Sequence, residues 1–325
     1  MSAVRNLGMR LQRILASICD PISYRLLLHV FKGHGISPQR NNSTPDSIAD
    51  FDPAGDVPAQ LEARLPKIIF HTWSSKPNLS ANYSYWRWSF IEKNAGYAFV
   101  LWDTIENREF IKKRFGWFLD AYDSYPDDVF RANIVRLFFL YAYGGFSVHM
   151  DSECLKPLDE TSGLGDVLLG RMGNVDDFEH SVPNAVMASK PKQTFWLLAV
   201  ALAIERLAQV VDGQFGGARG RPEWLTGAIL IKDTANFYLS HGKQEILQRI
   251  SRSTNGLAAE VQNSHYGKLT MLPAPIWCPV NWNNFIQTIF RKKMFKDRVV
   301  LAQDDARRLF PQAFIVTYWS APWDQ

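Results

Sequence analysis

The stretch from Arg131 to Leu158, RANIVRLFFLYAYGGFSVHMDSECLKPL, holds the residues of this chain best suited to chemistry. His149, Asp151 and Glu153 alternate within it, so an extended backbone would aim all three the same way. Two carboxylates at such spacing on a strand end can share a hard cation that keeps open positions for phosphate oxygens. Mn²⁺ or Mg²⁺ held there would stabilise the charge on a departing diphosphate. Imidazole suits Mn²⁺ and is a poor partner for Mg²⁺. The same spacing also describes an acidic strand end that merely faces water, and both readings stand at this point.

Several elements must position these groups. Phe130, Ile134, Leu137 and Tyr141 recur at helical spacing over 128–143, and Gly144-Gly145 ends that helix. The run FSVHMDSE then reads as a strand, closed by Pro157. Upstream, LPKIIFHTW (65–73) and AFVLWD (98–103) read as strands flanking a helix over 84–93, a parallel βαβ unit. A single helix is expected over 105–122. Downstream, strands are expected at 166–170, 184–189, 269–275 and 313–319, with a long apolar helix from Thr194 to Val211. Strands and helices alternating over more than 200 residues predict one α/β domain spanning 64–325.

Before that domain, residues 1–32 place Val4, Leu7, Leu11, Ile14 and Ile18 at helical spacing, with arginines elsewhere on the wheel. Such an amphipathic segment docks on the domain or makes peripheral membrane contact. Residues 33–63 read as a linker rich in Gly, Pro, Ser, Asn and Asp. Without a secretory signal, a cytoplasmic or membrane-peripheral location is expected, with the Golgi lumen as the alternative. Asn41, Asn42, Asn78 and Asn82 begin glycosylation triplets that matter only in the second case.

Composition excludes several classes. Hydrophobic residues make up 46% of the chain, enough for a sizeable core and against global disorder. A net charge of +4, with scattered Lys and Arg, is too weak to argue for nucleic acid. Cys19, Cys154 and Cys278 are far apart, which excludes a zinc knuckle and a disulfide framework.

The motifs together resemble glycosyltransferase family 32, the DXD-containing sugar-nucleotide transferases that include fungal initiation-type α-1,6-mannosyltransferases. LPKIIFHTW is similar to the family's opening strand, NAGYAFVLWD to its N-P-G-Y-x-x-x-L-W-D stretch, and the run from Arg131 to Leu158 to its core motif. LTGAILI and YWSAPW resemble its T-G-P segment and its terminal H-x-W-x-x-S-W. The resemblance implies a GT-A type fold, a Rossmann-like mixed sheet flanked by helices. It also implies a nucleotide-diphosphate sugar donor, a divalent metal, retention of configuration, and a glycan, lipid or small-molecule acceptor.

Carried over residue by residue, the resemblance makes Asp151 the second acid of the metal motif. Arg131 and Arg136 match the arginines of the core helix and are expected to pair with donor phosphate or fix the acidic loop. Gly144 and Gly145 match the glycine pair that lets backbone approach the donor. Trp73 and Trp102 match strand-end aromatics able to stack on the base, with a core role as the alternative. Thr226 and Gly227 match the acceptor-side pair, and Trp319 and Trp323 the tryptophans that close over the diphosphate. Four positions depart from the pattern. Asn133 replaces an Asp near the ribose, His149 the first Asp of the metal motif, Thr317 a His, and Pro322 a Ser. They weaken the metal site and leave two alternatives to a working metal enzyme: a metal-free transferase, or a non-catalytic binding protein on the same fold.

Overall fold

A computed structural model describes residues 65–76, 79, 81–173, 178–211, 221–281, 284–285, 287–289, 301 and 303–319. The segments expected at 1–32 and 33–63 lie outside these residues, as do Pro322 and Trp323.

The β-branched and aromatic run Ile68–Thr72 forms strand β1. Helix α1 (Ala81–Lys93) returns the chain to β2 (Ala98–Trp102), which pairs with β1 in parallel. Asp103 then caps α2 (Thr104–Arg114) in a full capping box, its carboxylate accepting from the backbone N–H of Ile105 and Glu106. The single helix expected over 105–122 is broken. After α2 a 3₁₀ turn spans Gly116–Phe118, and α3 covers Leu119–Ser124. Phe115 and Phe118 are sunk in the core on either side of that break, and their packing outweighs helix continuity.

Helix α4 (Asp128–Tyr143) is buried on nearly every face from Asn133 to Tyr143. It is therefore a central helix rather than the half-exposed stripe its periodicity implied. Strand β3 (Gly145–Val148) follows and pairs in parallel with β1. β4 (Ser152–Cys154), β5 (Val167–Gly170) and β6 (Val186–Ser189) come next. Helices α5 (Thr194–Val211), α6 (Pro222–Leu225), α7 (Ala228–Ser240), α8 (Lys243–Ser253) and α9 (Asn255–Val261) then run to β7 (Leu269–Leu272). The described chain closes with α10 (Ala274–Trp277), α11 (Gln303–Leu309) and β8 (Ile315–Thr317).

The main sheet has the order β2-β1-β3-β6-β5-β7, with β6 antiparallel to both of its neighbours. Along β1, Phe70 faces the core beneath α2, α4 and α5, while Ile69 faces a second core with Phe90, Phe146 and Trp277. Both sheet faces are covered, so the fold is the mixed α/β that the strand and helix alternation predicted, consistent with the GT-A type that the resemblance implied. β8 pairs with β4 in a small separate sheet, Ser152 opposite Thr317 and Cys154 opposite Ile315. None of the described helices is long and apolar enough to cross a membrane.

Gly144 and Gly145 take φ of +66° and +82°. A Cβ on Gly145 would lie 2.5 Å from the Ile68 carbonyl oxygen, and one on Gly144 2.6 Å from that of Ser189. The pair thus lets β3 enter between β1 and β6, at the opposite end of β3 from the acidic turn. This corrects the expectation that the glycines admit the donor. Gly145→Ala is expected to destabilise the fold by roughly 2 kcal/mol or more, because backbone strain and overlap add. Urea denaturation measures this, and an unchanged midpoint would contradict the packing role.

Candidate active site

At the carboxyl ends of β1 and β3 a small pocket of about 50 Å³ opens to solvent. Thr72 and Trp73 come from β1 and its exit, Asn133 and Arg136 from α4, and His149 and Asp151 from the turn after β3. Crevices at the carboxyl ends of parallel strands are where open α/β sheets bind ligands. A larger groove of about 480 Å³ lies at the opposite end of the sheet, near Lys67, Asp166 and Lys190. Its lysines Lys67 and Lys190 are already paired with Asp159 and Asp166, at 3.0 and 2.8 Å, so it offers less unmet chemistry.

The acidic run is not continuously extended. β3 stops at Val148, the Ser152 N–H donates to the His149 carbonyl at 3.2 Å, and β4 begins only at Ser152. This turn breaks the period of two, so Glu153 leaves the set. It is fully buried, accepting a hydrogen bond at 2.9 Å from the Tyr85 hydroxyl and another from the Tyr318 hydroxyl. The expected role of Glu153 as a metal ligand is therefore corrected. It ties α1, β4 and β8 together.

His149 and Asp151 remain at the pocket, with His149 Nδ1 4.0 Å from Asp151 Oδ1. Burial, then the charge of Arg136, holds the His149 imidazole neutral, well below its ordinary pKa. The Asp151 carbonyl accepts from the Tyr318 N–H at 2.8 Å, so β8 pins the turn. One carboxylate and one neutral imidazole make a thin donor set for a hard divalent ion, which prefers oxygen. No group of three or more His, Cys, Asp or Glu side chains able to hold a metal occurs among the described residues. A fixed guanidinium, Arg136, already opposes Asp151. These residues do not fit the expected Mn²⁺ or Mg²⁺.

Arg136 is 2% exposed. Its Nε donates to Ser147 Oγ at 2.7 Å, and its Nη2 to the carbonyls of Ser147 and Ala185 at 3.2 Å each. Its Nη1 is buried with no partner among the described residues. Burial lowers its pKa to about 9 while Asp151 raises it, so the group stays charged at neutral pH. His71 lies beside it, its Nδ1 3.2 Å from the Val148 carbonyl. A carbonyl only accepts, so Nδ1 carries the proton and Nε2 is a bare acceptor, also buried and unpartnered. Burial, then Arg87, lowers the His71 pKa to about 3 against the weaker opposing hydrogen bond.

Trp73 lines the pocket as expected and contacts Tyr83, with ring centroids 4.4 Å apart and Trp73 Nε1 lacking a partner. Asn133 also lines it, with its side-chain oxygen accepting from Asn184 at 3.0 Å. Other expected residues lie elsewhere. Trp102 is buried among Phe70, Phe110 and Phe139, which settles it as a core residue. Arg131 does not line the pocket, because it pairs with Asp128 at 2.8 Å and caps the Tyr125 carbonyl. Thr226 and Gly227 form the tight joint between α6 and α7, away from the pocket lining. Trp319, at φ +53°, follows β8 and packs on the cores beneath it rather than lining the pocket. Tyr83 and His71 were missed. A lone His inside the apolar run LPKIIFHTW was the available signal for the latter.

The fold is thus an α/β domain with a crevice at the carboxyl ends of its strands. Residues 80–167, which supply most of that crevice, match the family described as the glycosyltransferase sugar-binding region containing a DXD motif. The relationship to DXD glycosyltransferases read from the sequence therefore holds. Inositol phosphoceramide mannosyltransferase 3 of Schizosaccharomyces pombe is 38% identical over 104 residues, 32% of this chain and 29% of that one. Mannosyl phosphorylinositol ceramide synthase SUR1 of Saccharomyces cerevisiae is 28% identical over 170 residues, 49% of this chain and 40% of that one. The chain thus spans less than half the length of these curated relatives. Among solved structures, PaToxG glycosyltransferase superposes with a TM-score of 0.38 at 14% identity, over 61% of this chain and 79% of that one.

The neutral buried histidine has a pH consequence. In the unfolded chain His71 titrates near its ordinary value of about 6.5. Its folded pKa is depressed, so its contribution is complete above pH 6.5 and lost as pH falls toward 3. Between pH 7 and 5 it should remove about 2 kcal/mol of stability. His71→Asn, whose amide can still donate to Val148, should abolish that share of the slope. Urea titrations of both proteins at pH 7 and 5 would show it, and parallel losses would refute it.

Proposed function

We propose that this chain is a glycosyltransferase that moves a hexosyl group from a nucleotide-diphosphate sugar to an acceptor hydroxyl, with retention of configuration. The observation that carries this reading is the crevice itself. Arg136, Asn133, Trp73 and Asp151 converge at the carboxyl ends of β1 and β3, inside or beside the segment matched to a sugar-binding family. The names of the relatives support mannose as the sugar and an inositol-phosphate-bearing lipid as the acceptor.

In this reading the bond between the anomeric carbon and the diphosphate oxygen breaks. The acceptor oxygen attacks from the same face, and its proton passes to the departing phosphate oxygen. No carboxylate stands out as a nucleophile, so retention is assigned to front-face attack. Arg136 faces the charge that develops on the leaving group, where a preorganised donor in a dry site acts most strongly. Asp151 keeps Arg136 charged and accepts from a sugar hydroxyl. Trp73 and Tyr83 supply an aromatic wall for the sugar or base.

A second reading, a non-catalytic sugar-nucleotide-binding protein, draws on two of the departures from the family pattern. The Asn133 oxygen is spent on Asn184, and the Thr317 hydroxyl lies 3.0 Å from that of Ser152, so both do structural work. Transfer of labelled hexose from GDP-mannose or UDP-sugars to inositol phosphoceramide in detergent separates the two. Turnover is expected, and Asp151→Asn should lower it roughly a hundredfold. Donor binding without turnover would favour the second reading, and neither binding nor turnover would sink both.

A further inference from the structure

The most exposed large apolar side chains sit at one edge of the sheet. β6 runs antiparallel to both β3 and β5, and β7 parallel to β5, so β5 and β7 end on the same edge as β1 and β3. The pocket opens at that edge. Beyond β7 the chain passes through α10 and reaches Asn281. Asn281 lies against Gly173, just past the end of β5, where an added Cβ would sit 2.5 Å from the Asn281 side-chain nitrogen. Phe285 and Ile289 follow, 79% and 52% exposed. Ile105, 73% exposed, lies in the first turn of α2, at the carboxyl end of β2. Among the described residues no large hydrophobic is more exposed than Phe285 and Ile105.

Single exposed hydrophobics are normal, but Phe285 and Ile289 are built into a face. Phe285 and residues 287–289 are helical. The Asn284 side-chain oxygen accepts from the Gln287 N–H at 3.1 Å, and the Asn284 carbonyl from the Thr288 N–H at 2.8 Å. Gln287 is turned inward, its Oε1 accepting from the Asn281 N–H at 2.7 Å. Residues four apart share a helix face, so Phe285 and Ile289 project together on the side away from Gln287. The segment is anchored beside the pocket. Val280 and Leu301, which bracket it, are buried in one cluster, and the pocket residue Tyr83 packs on that cluster.

Charge says what covers this face. Residues 291–298, RKKMFKDR, hold five basic residues and one acid, a net charge equal to the +4 of the whole chain. Arg291 follows Ile289 by two residues, so covalent geometry keeps their Cα atoms within about 7.6 Å. Apolar side chains next to a basic run make an interfacial membrane contact, in which the first enter the acyl boundary and the second meet anionic headgroups. Two side chains cannot by themselves supply the roughly 800 Å² that each partner gives to a stable protein interface.

We infer that Phe285 and Ile289 seat the carboxyl-end edge of this domain on an anionic lipid surface. The inference deepens the proposed function and rests on it only for the lipid acceptor, whose headgroup would then lie on the side of the molecule where the pocket opens.

Co-sedimentation of the full chain with vesicles tests it. Wild type should bind phosphatidylcholine vesicles that contain phosphatidylinositol, bind pure phosphatidylcholine weakly, and release as salt rises. The double variant Phe285→Ser with Ile289→Ser should bind about tenfold more weakly. Both side chains are exposed, so its melting temperature should stay at the wild-type value. Leu239→Ser, at a comparably exposed position on α7, should bind like wild type. Hexose transfer to a lipid acceptor in vesicles should fall with binding, while transfer in detergent should not. Absence of vesicle binding, or binding indifferent to the double substitution, overturns the inference, and the second result moves the contact to another segment such as 1–32. An equal loss with Leu239→Ser also overturns it. Self-association that the double substitution abolishes, without vesicle binding, gives the face to a second copy and overturns it too. Transfer missing in detergent, with vesicle binding that still depends on Phe285 and Ile289, would remove the transferase reading and keep the membrane seat.

Discussion

Taking an arginine side chain out of water costs several kcal/mol unless its N–H groups are met and its charge is opposed, and Arg136 is met on one side only. Ser147 and the Ala185 carbonyl take its Nε and Nη2, which links α4 to β3 and to the residue that leads into β6. Asp151 supplies the opposing charge. The rest of the site follows from this arrangement. The turn after β3 must bring Asp151 back toward the guanidinium. The His149 N–H anchors that turn to the same Ala185 carbonyl, at 2.8 Å. Two imidazoles so close to a fixed cation have to stay neutral. The one arginine nitrogen left over belongs to a residue that lines the pocket.

A second constraint reaches the site from the far end of the described chain. β8 lies against β4, and the Tyr318 N–H holds the Asp151 carbonyl. Tyr318 also donates through its hydroxyl to Glu153, and its own burial, then the Glu153 charge, pushes the phenol well above its ordinary pKa. Tyr85 on α1 completes the carboxylate's shell. Glu153 thus joins α1 to the strand that steadies Asp151. A buried carboxylate is costly unless it is fully hydrogen-bonded, so two phenols on different elements make the junction directional. An acid expected to help hold a metal instead ties α1 to β4 and the end of β8.

Much of this was legible in the sequence. The apolar runs of β1, β2, β5 and β6 and the long periodic helix α5 declare themselves, because buried parallel strands and apolar helices leave strong local patterns. Asp151, Arg136, Trp73, Asn133 and His149 were picked out and meet at one pocket. What failed depended on contacts distant in sequence. The turn between β3 and β4 is set by hydrogen bonds to Ala185 and Tyr318, which no local pattern encodes. Trp102 and Arg131 match a motif, yet their neighbours make one a core residue and the other a helix-end brace. Gly144 and Gly145 were read correctly as close-approach residues, but the approaching backbone is that of β1 and β6.

The departure at position 149 follows from the electrostatics of this pocket. With Asp there, two carboxylates would face the one Arg136 guanidinium, and a diphosphate would enter a site of net negative charge. A divalent ion would then be needed to restore the attraction. With a neutral His149, Arg136 balances Asp151 and the lining carries no net negative charge. The imidazole also removes a source of repulsion that a low-dielectric pocket would amplify. Loss of the first acid and lack of a metal-binding cluster among the described residues are thus two sides of one charge balance, in which the fixed Arg136 guanidinium opposes Asp151.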